Sequence, residues 1–278
     1  IASNWPEEIE RIKRLSNIYA VASISSIGGS LLLVAHGPLS AYYGAARAFR
    51  MLFGISALMT LISFISLLFL KERRRPKKTA QFMRRESLTY TLRIILPNII
   101  NGAGIGIAFP LLPVWFELMY RVSASYVGII FTLAYAFTAA GSFISGRYLT
   151  GSKISAIAVS SWARIFQGIT LITMAFTPFL TLAAAIYSIR SMIAGIGTPM
   201  RSAISVRGIS GEDYGTASSV QGVFTRISQI TSGISGYLME ESIPLPLLTG
   251  GIIQVAGGVV YYRLIRSWEI SHNFKPKA

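Results

Sequence analysis

Three arginines lie inside long stretches of otherwise uncharged residues, where a guanidinium group could bind an anion. Arg164, Arg190 and Arg226 are each more than ten residues from the nearest acidic residue. Arg190 stands about ten residues into its stretch, roughly 15 Å along a helix that rises 1.5 Å per residue. A charge at that depth in a membrane is unfavourable unless it is paired or hydrated, so it often marks a binding site. We predict that Arg190 and Arg226 bind substrate, with a structural role as the alternative, and that Arg164 extends toward a membrane surface.

Uncharged polar side chains supply the other candidate ligands. Asn98 and Asn101 lie one turn apart beside Pro97, which permits a bend in a helix. Gln221 belongs to a polar helical face that continues to Arg226, and a stripe of that polarity would be unstable against lipid. We predict that Asn98, Asn101 and Gln221 bind the solute. The alternative for Asn98 and Asn101 is that they bond backbone groups left free near Pro97. The alternative for the Gln221 face is hydrogen bonding between helices.

The composition gives little support for catalytic or metal chemistry. The chain has no Cys and only two His residues, and none of its 11 acidic residues falls in the middle of an uncharged stretch. An activated nucleophile, a carboxylate pair or a metal site needs such groups, so we predict no enzyme activity, no cofactor and no metal. A proton-coupled carrier also needs a titratable group within the membrane. Either that group lies outside this chain, or the protein is a facilitator or exchanger of an organic anion.

Transmembrane helices are the elements that would position these residues. Hydrophobic residues make up 52% of the chain and charged residues 13%, with a mean hydropathy of +0.54, which is unusual for a soluble domain. Gly102 and Gly106, four residues apart, predict a close contact between two helices. Uncharged stretches of the length that crosses a bilayer predict eight spans, at about Leu15–Gly37, Met51–Leu70, Ile94–Phe116, Tyr126–Gly146, Ile154–Phe176, Leu180–Val206, Thr216–Met239 and Leu245–Ile265. The predicted fold class is therefore an all-α membrane protein with eight transmembrane helices.

The positive charges predict the orientation of these spans. If the spans alternate in direction, 20 of the 26 Lys and Arg residues fall on one side of the membrane and only three on the other. Because Lys and Arg concentrate in cytoplasmic loops, we predict a multi-pass protein of the cell membrane with both termini in the cytoplasm. The net charge of +15 is explained by these loops, so no nucleic-acid partner is predicted.

The order of several local patterns resembles the major facilitator superfamily of secondary transporters over essentially the whole chain. The segments that carry the resemblance are Asn4–Arg11, Leu96–Gly102 through Pro113, Ile189–Ser191 with Gly195–Arg201, and Asp213–Ser218. The resemblance implies helices five to twelve of a twelve-helix pattern. Residues 1–70 would be the last two helices of an incomplete amino-terminal bundle and 71–90 a basic cytoplasmic linker. Residues 91–270 would be the carboxy-terminal six-helix bundle and 271–278 a tail.

The resemblance also implies a function. It predicts a secondary active transporter that moves a small organic solute by alternating access, with membrane lipid around it and a proton or ion as a possible coupling partner. Gly28 and Gly37-Pro38 are similar to an antiporter motif of the family, which slightly favours efflux, although Ala41 and Tyr42 replace an expected Gly pair. In the loop after Gly146, Thr150 stands where the family's gating motif has an acidic residue. We expect this form of the chain, without four helices, to be inactive alone. A polytopic receptor or scaffold without transport is the alternative of another class.

Overall fold

The structure, a computed structural model, describes residues 8–69, 83–150 and 155–271, and in these ranges it is built of helices without strands. The α-helices are α1 (Glu8–Val34), α2 (His36–Tyr43), α3 (Ala45–Leu68), α4 (Arg85–Ala108), α5 (Leu112–Tyr120), α6 (Ala124–Ile144), α7 (Ala156–Ala175), α8 (Leu180–Ile204), α9 (Tyr214–Ser228), α10 (Ser232–Glu241) and α11 (Leu245–Ser271). A π-helical turn at Ser145–Leu149 follows α6, and a 3-10 turn at Gln229–Thr231 joins α9 to α10.

Seven helical segments of the described part are long and apolar enough to cross a membrane, and they coincide with seven of the eight predicted spans. The remaining span, predicted at Thr216–Met239, is formed by α9 and α10 with the 3-10 turn between them. Hydroxyl groups hold this broken span against α4, because Thr231 and Ser235 donate hydrogen bonds of 2.9 and 2.6 Å to backbone carbonyls of α4. The all-α membrane fold is thus confirmed, with one crossing made of two short helices instead of one continuous helix.

The helices from α4 to α11 form one bundle with an apolar core at each end. Helices α7 and α11 pack on each other, and both α4 and α8 are supported by this pair. One core surrounds Trp115, Phe116 and Leu171, and the other surrounds Tyr90, Ile204 and Tyr261. Helix α6 packs on α8, while α9 packs on α4. Functional groups of α4, α6, α8 and α9 are therefore held on a framework of two supporting helices.

The three amino-terminal helices contact this bundle mainly through α1. Helix α1 packs along α6 and also reaches α8, where Ile12 is buried with Met200 and Ala203. Helix α3 buries only Ala48 and Leu52 of its 24 residues. Residues 71–82 of the predicted linker and most of the predicted tail lie outside the described residues. Helix α4 begins at Arg85, so residues 85–90 of the predicted linker are helical. The predicted division into domains stays a prediction.

The basic segments between the helices gather at one end of the bundle. Arg207, which follows α8, bonds Glu8 at the start of α1 and Glu269 near the end of α11. Arg84, before α4, pairs with Glu212. These contacts bring the segment before α4 and the segment after α8 together with the start of α1 and the end of α11, and we call this end the Arg207 end of the bundle. The side of the membrane that it faces stays a prediction.

Candidate functional site

Small residues let the helices around the candidate site approach very closely. A Cβ atom added at Gly102 would lie 2.1 Å from the Ser228 hydroxyl of α9, and one added at Gly106 would lie 2.4 Å from Thr231. The predicted close contact at Gly102 and Gly106 is thus confirmed. Helices α6 and α8 are equally close, since a Cβ atom added at Gly195 of α8 would lie 2.2 Å from a backbone oxygen of α6. Backbones in such contact gain dispersion energy without a hydrophobic driving force, which is how membrane helices associate.

Arg190 of α8 is buried in the bundle, with 4% of its surface exposed. Its guanidinium carbon lies 4.1 Å from the centre of the Phe109 ring, at the end of α4, so a cation–π contact joins α8 to α4. The Tyr187 ring, one turn earlier in α8, packs against Phe116 and Phe131. Within the described ranges Arg190 makes no ion pair, and its Nε atom has no hydrogen-bond partner. The described residues therefore leave the Arg190 guanidinium without a carboxylate and its Nε atom without an acceptor.

Arg164 of α7 is also buried, with 2% of its surface exposed. The prediction that its side chain extends toward a membrane surface was therefore wrong. Its Nη2 atom donates a 2.5 Å hydrogen bond to Oδ1 of Asn98, and its Nη1 atom lies 3.5 Å from the Pro97 carbonyl oxygen. The guanidinium carbon also lies 4.3 Å from the Tyr261 ring centre. Arg164 thus connects α7 to α4 and α11. Sequence periodicity could not show this, because an isolated polar residue in an apolar helix gives no sign of which neighbour it faces.

The two asparagines of α4 occupy different interfaces. Asn98 accepts the hydrogen bond from Arg164, so one of its polar atoms is already used inside the protein. Asn101 is 7% exposed and lies against α11, where a Cβ atom on Gly257 would be 3.1 Å from the Asn101 backbone nitrogen. These surroundings favour the helix-supporting alternative for Asn98. The predicted roles of both residues in solute binding stay predictions.

Gln221 and Arg226 of α9 lie farther from the bundle core. Gln221 is partly buried and donates a 3.1 Å hydrogen bond to the carbonyl oxygen of Ser205. Arg226 is exposed and its Nη1 atom lies 3.4 Å from Oε1 of Gln229. The five predicted ligands are thus not joined by side-chain hydrogen bonds among the described residues. Arg190 is the one that combines deep burial with an unused hydrogen-bond donor.

A cluster of charges at the Arg207 end was missed by sequence reasoning. The Arg207 side chain is 4% exposed and donates hydrogen bonds to Glu8 and, at 2.5 Å, to Glu269. Burial disfavours the charge of Arg207, but the hydrogen bond and the charge of Glu8, together with the charge of Glu269, outweigh it and raise the Arg207 pKa above its ordinary value. Glu8 lies 199 residues from Arg207 along the chain, so no local pattern could have paired them.

No set of three or more His, Cys, Asp or Glu side chains that could hold a metal ion is present among residues 8–69, 83–150 and 155–271. His36 is buried with its ring centre 4.0 Å from that of Phe49. His272 lies outside the described residues.

The chain was also compared with known proteins. A family model described as Major Facilitator Superfamily matches residues 1–233. The crystal structure of a bacterial homologue of the iron transporter ferroportin, in an outward-facing state, has a similar fold, with a TM-score of 0.65 and 14% sequence identity. That similarity covers 97% of this chain but 66% of the other, so this chain spans somewhat less than two thirds of its length. No curated protein matches significantly. Because the family model covers most of the sequence, this chain belongs to the Major Facilitator Superfamily of membrane transporters.

Proposed function

We propose that this chain is the substrate-binding part of a secondary transporter that moves a small organic solute by alternating access, and that Arg190 binds an acidic group of the solute. The observation that carries the proposal is the burial of Arg190 without a carboxylate partner in the described ranges. A buried guanidinium is costly in a membrane unless an opposite charge or water compensates it. An anionic solute supplies that charge and takes up the free donor of the planar guanidinium group.

Arg164 supports this assignment by contrast. It is equally buried, but its guanidinium already has an amide oxygen, a backbone carbonyl and an aromatic ring around it. Among the described residues, the Arg190 guanidinium contacts the Phe109 ring and makes no ion pair. The Nε atom of each arginine has no hydrogen-bond partner, so the difference lies at the Nη atoms, which have acceptors in Arg164 and none among the described residues in Arg190. Arg190 is therefore the better candidate for the solute.

The contacts of α1 suit a rocking motion. At the Arg207 end, Tyr19 and Ser202 join α1 to α8 through a 2.9 Å hydrogen bond between their hydroxyls. Toward the opposite end, Ser30 of α1 and Thr132 of α6 lie 2.8 Å apart. For either end to open, α1 has to separate from its wider packing on α6 and from the Ile12 and Glu8 contacts as well, while the packed α7–α11 framework stays intact. Alternate opening of the two ends is what alternating access requires. The direction of transport, with efflux predicted from Gly28 and Gly37-Pro38, is part of the proposal.

Transport should be tested with the longest reading frame that contains this sequence, reconstituted in vesicles and offered a panel of labelled mono- and dicarboxylates. Saturable transport is expected for the wild type and for Arg85→Gln, which removes an exposed charge at the start of α4. We expect Arg190→Gln to reduce transport at least tenfold, and Arg190→Lys to recover part of it because charge remains but the planar fork is lost.

Binding separates the possible failures. Equilibrium binding of the same acids to the purified chain should weaken in Arg190→Gln while its unfolding midpoint stays near that of the wild type. Saturable binding without transport by the full reading frame would favour a receptor and would refute the carrier. Normal transport of every active acid by Arg190→Gln would refute the role of Arg190.

A further inference from the structure

A second binding site is indicated by a cleft at the Arg207 end, well away from Arg190. The cleft has a volume of about 510 Å³ and lies between α1 and the π-helical turn after α6; it is lined by Lys13, Asn17, Phe143, Gly146, Arg147 and Tyr148. Its floor is tightly built, since a Cβ atom added at Gly146 would lie 2.7 Å from Cβ of Ser16, which is fully buried. The π-helical turn at Ser145–Leu149 ends the helix beside this cleft, and the chain becomes extended at Thr150.

The charge of the cleft is positive and uncompensated. Lys13 of α1 and Arg147 of the π-helical turn are both exposed. In the part of the chain that the structure describes, ion pairs engage Arg14, Arg84 and Arg207, but neither of these two residues. Two cations that share one cleft repel each other, and an anion between them would relieve the repulsion.

The remaining lining identifies the kind of anion. The amide of Asn17 and the hydroxyl of Tyr148 add hydrogen-bond donors to the two cations. Phe143, 53% exposed, adds an apolar wall on the α6 side. Basic pockets between membrane helices with an apolar neighbour are suited to lipid headgroups. We propose that this cleft binds a phosphoryl group, supplied by the headgroup of an anionic phospholipid whose acyl chains lie along Phe143.

The test uses the purified 278-residue chain in a neutral detergent, titrated with dioctanoyl phosphatidylglycerol, with bound lipid counted by native mass spectrometry. We expect one saturable site in the wild type and at least a tenfold higher dissociation constant for the double variant Lys13→Gln with Arg147→Gln. The matched control is Arg85→Gln, which removes an exposed charge at the start of α4 and should change the dissociation constant less than twofold. Dioctanoyl phosphatidylcholine should bind at least tenfold more weakly than phosphatidylglycerol.

Inorganic phosphate distinguishes the two sources of the phosphoryl group. Failure of phosphate in large excess to displace the lipid identifies the lipid as the ligand, whereas displacement at micromolar phosphate identifies free phosphate; both support a phosphoryl site. If the double variant is misfolded by size exclusion, Arg147→Gln alone, on an exposed side chain, should raise the dissociation constant about fivefold. Equal weakening by Arg85→Gln, or no saturable binding of either probe, would overturn the proposal.

Discussion

The ion pairs of Arg207 with Glu8 and Glu269 should stabilise the protein far more than the exposed Glu10–Arg14 pair of α1 does. Arg207 is 4% exposed, Glu8 21% and Glu269 17% as side chains. Removing the only partner of a buried charge costs about 3–5 kcal/mol. Glu8→Gln leaves Glu269 bonded to Arg207 at 2.5 Å, so the penalty is smaller and approaches the ~1.5–3 kcal/mol of one hydrogen bond to a charged group. We therefore expect Glu8→Gln to lower the free energy of unfolding by about 2 kcal/mol.

A neighbouring pair provides the control. Glu10 of α1 bonds Arg14 at 2.7 Å, but the two side chains are 38% and 54% exposed. Exposed pairs four residues apart contribute only about 0.3–0.5 kcal/mol, so Glu10→Gln should change the unfolding free energy by no more than that. The measurement is reversible unfolding in mixed micelles, for Glu8→Gln, Arg207→Gln and the double variant. A coupling energy below about 0.5 kcal/mol in this double-mutant cycle would refute the reasoning.

The same substitution should loosen the contact between α1 and α8. The chain has no native Cys, so a single Cys in place of Ser202, which bonds Tyr19, reports exposure of that interface. A loss of about 2 kcal/mol shifts an opening equilibrium about thirtyfold, since 1.4 kcal/mol corresponds to a factor of ten. Labelling by a water-soluble maleimide should therefore be about thirtyfold faster in the Glu8→Gln background when this end closes faster than the maleimide reacts. An unchanged rate would show that the Arg207 ion pairs do not hold this end closed.

Three further outcomes are expected. Gly195→Ala should lower the free energy of unfolding by about 1–3 kcal/mol, because its Cβ atom would meet a backbone oxygen at 2.2 Å. The control is Gly236→Ala, which should not destabilise the protein because there is open space around Gly236. Asn98→Ala should destabilise by about 1.5–3 kcal/mol through the lost bond to Arg164 and leave carboxylate binding unchanged in an equilibrium titration. The raised pKa of Arg207 means that its stabilising charge is fully present below the ordinary pKa of a guanidinium group and is lost only as the pH rises through the pKa of the folded protein. The Glu8–Arg207 coupling measured at pH 7 should therefore persist at pH 10.

The membrane spans could be predicted from sequence because a bilayer imposes a length and an apolar composition on every crossing. The break between α9 and α10 could not. The segment around Gln229–Thr231 turns where its hydroxyls reach the carbonyls of α4 and where Gly106 allows close approach. Such a break depends on the neighbour that the helix meets, and hydropathy carries no information about that neighbour.

The candidate site could be predicted from the sequence only in part, because the sequence gives depth in a span but not the neighbours that a side chain meets. The depth of Arg190 in its span followed from counting residues, and the structure does bury it. The burial of Arg164 depends on the rotation of α7 toward Asn98 and Tyr261, which the weak periodicity of an apolar helix does not fix. The Arg207 ion pairs join three distant parts of the chain, so only the folded arrangement brings them together.

Stability of the bundle and the proposed binding of a solute place opposite demands on a buried arginine. A buried guanidinium stabilises the bundle when acceptors lie at its Nη atoms, as they do for Arg164 and Arg207, although the Nε atom of each has no hydrogen-bond partner. A guanidinium that binds a solute has to keep donors unused in the absence of that solute, and this lowers the stability of the empty protein. The stable α7 and α11 framework can tolerate this cost at Arg190, because Arg164 ties α7 firmly to α4 and α11. Arg164 and Arg190 are therefore best understood together: the first joins the supporting helices, and the second is the residue that we propose for the solute.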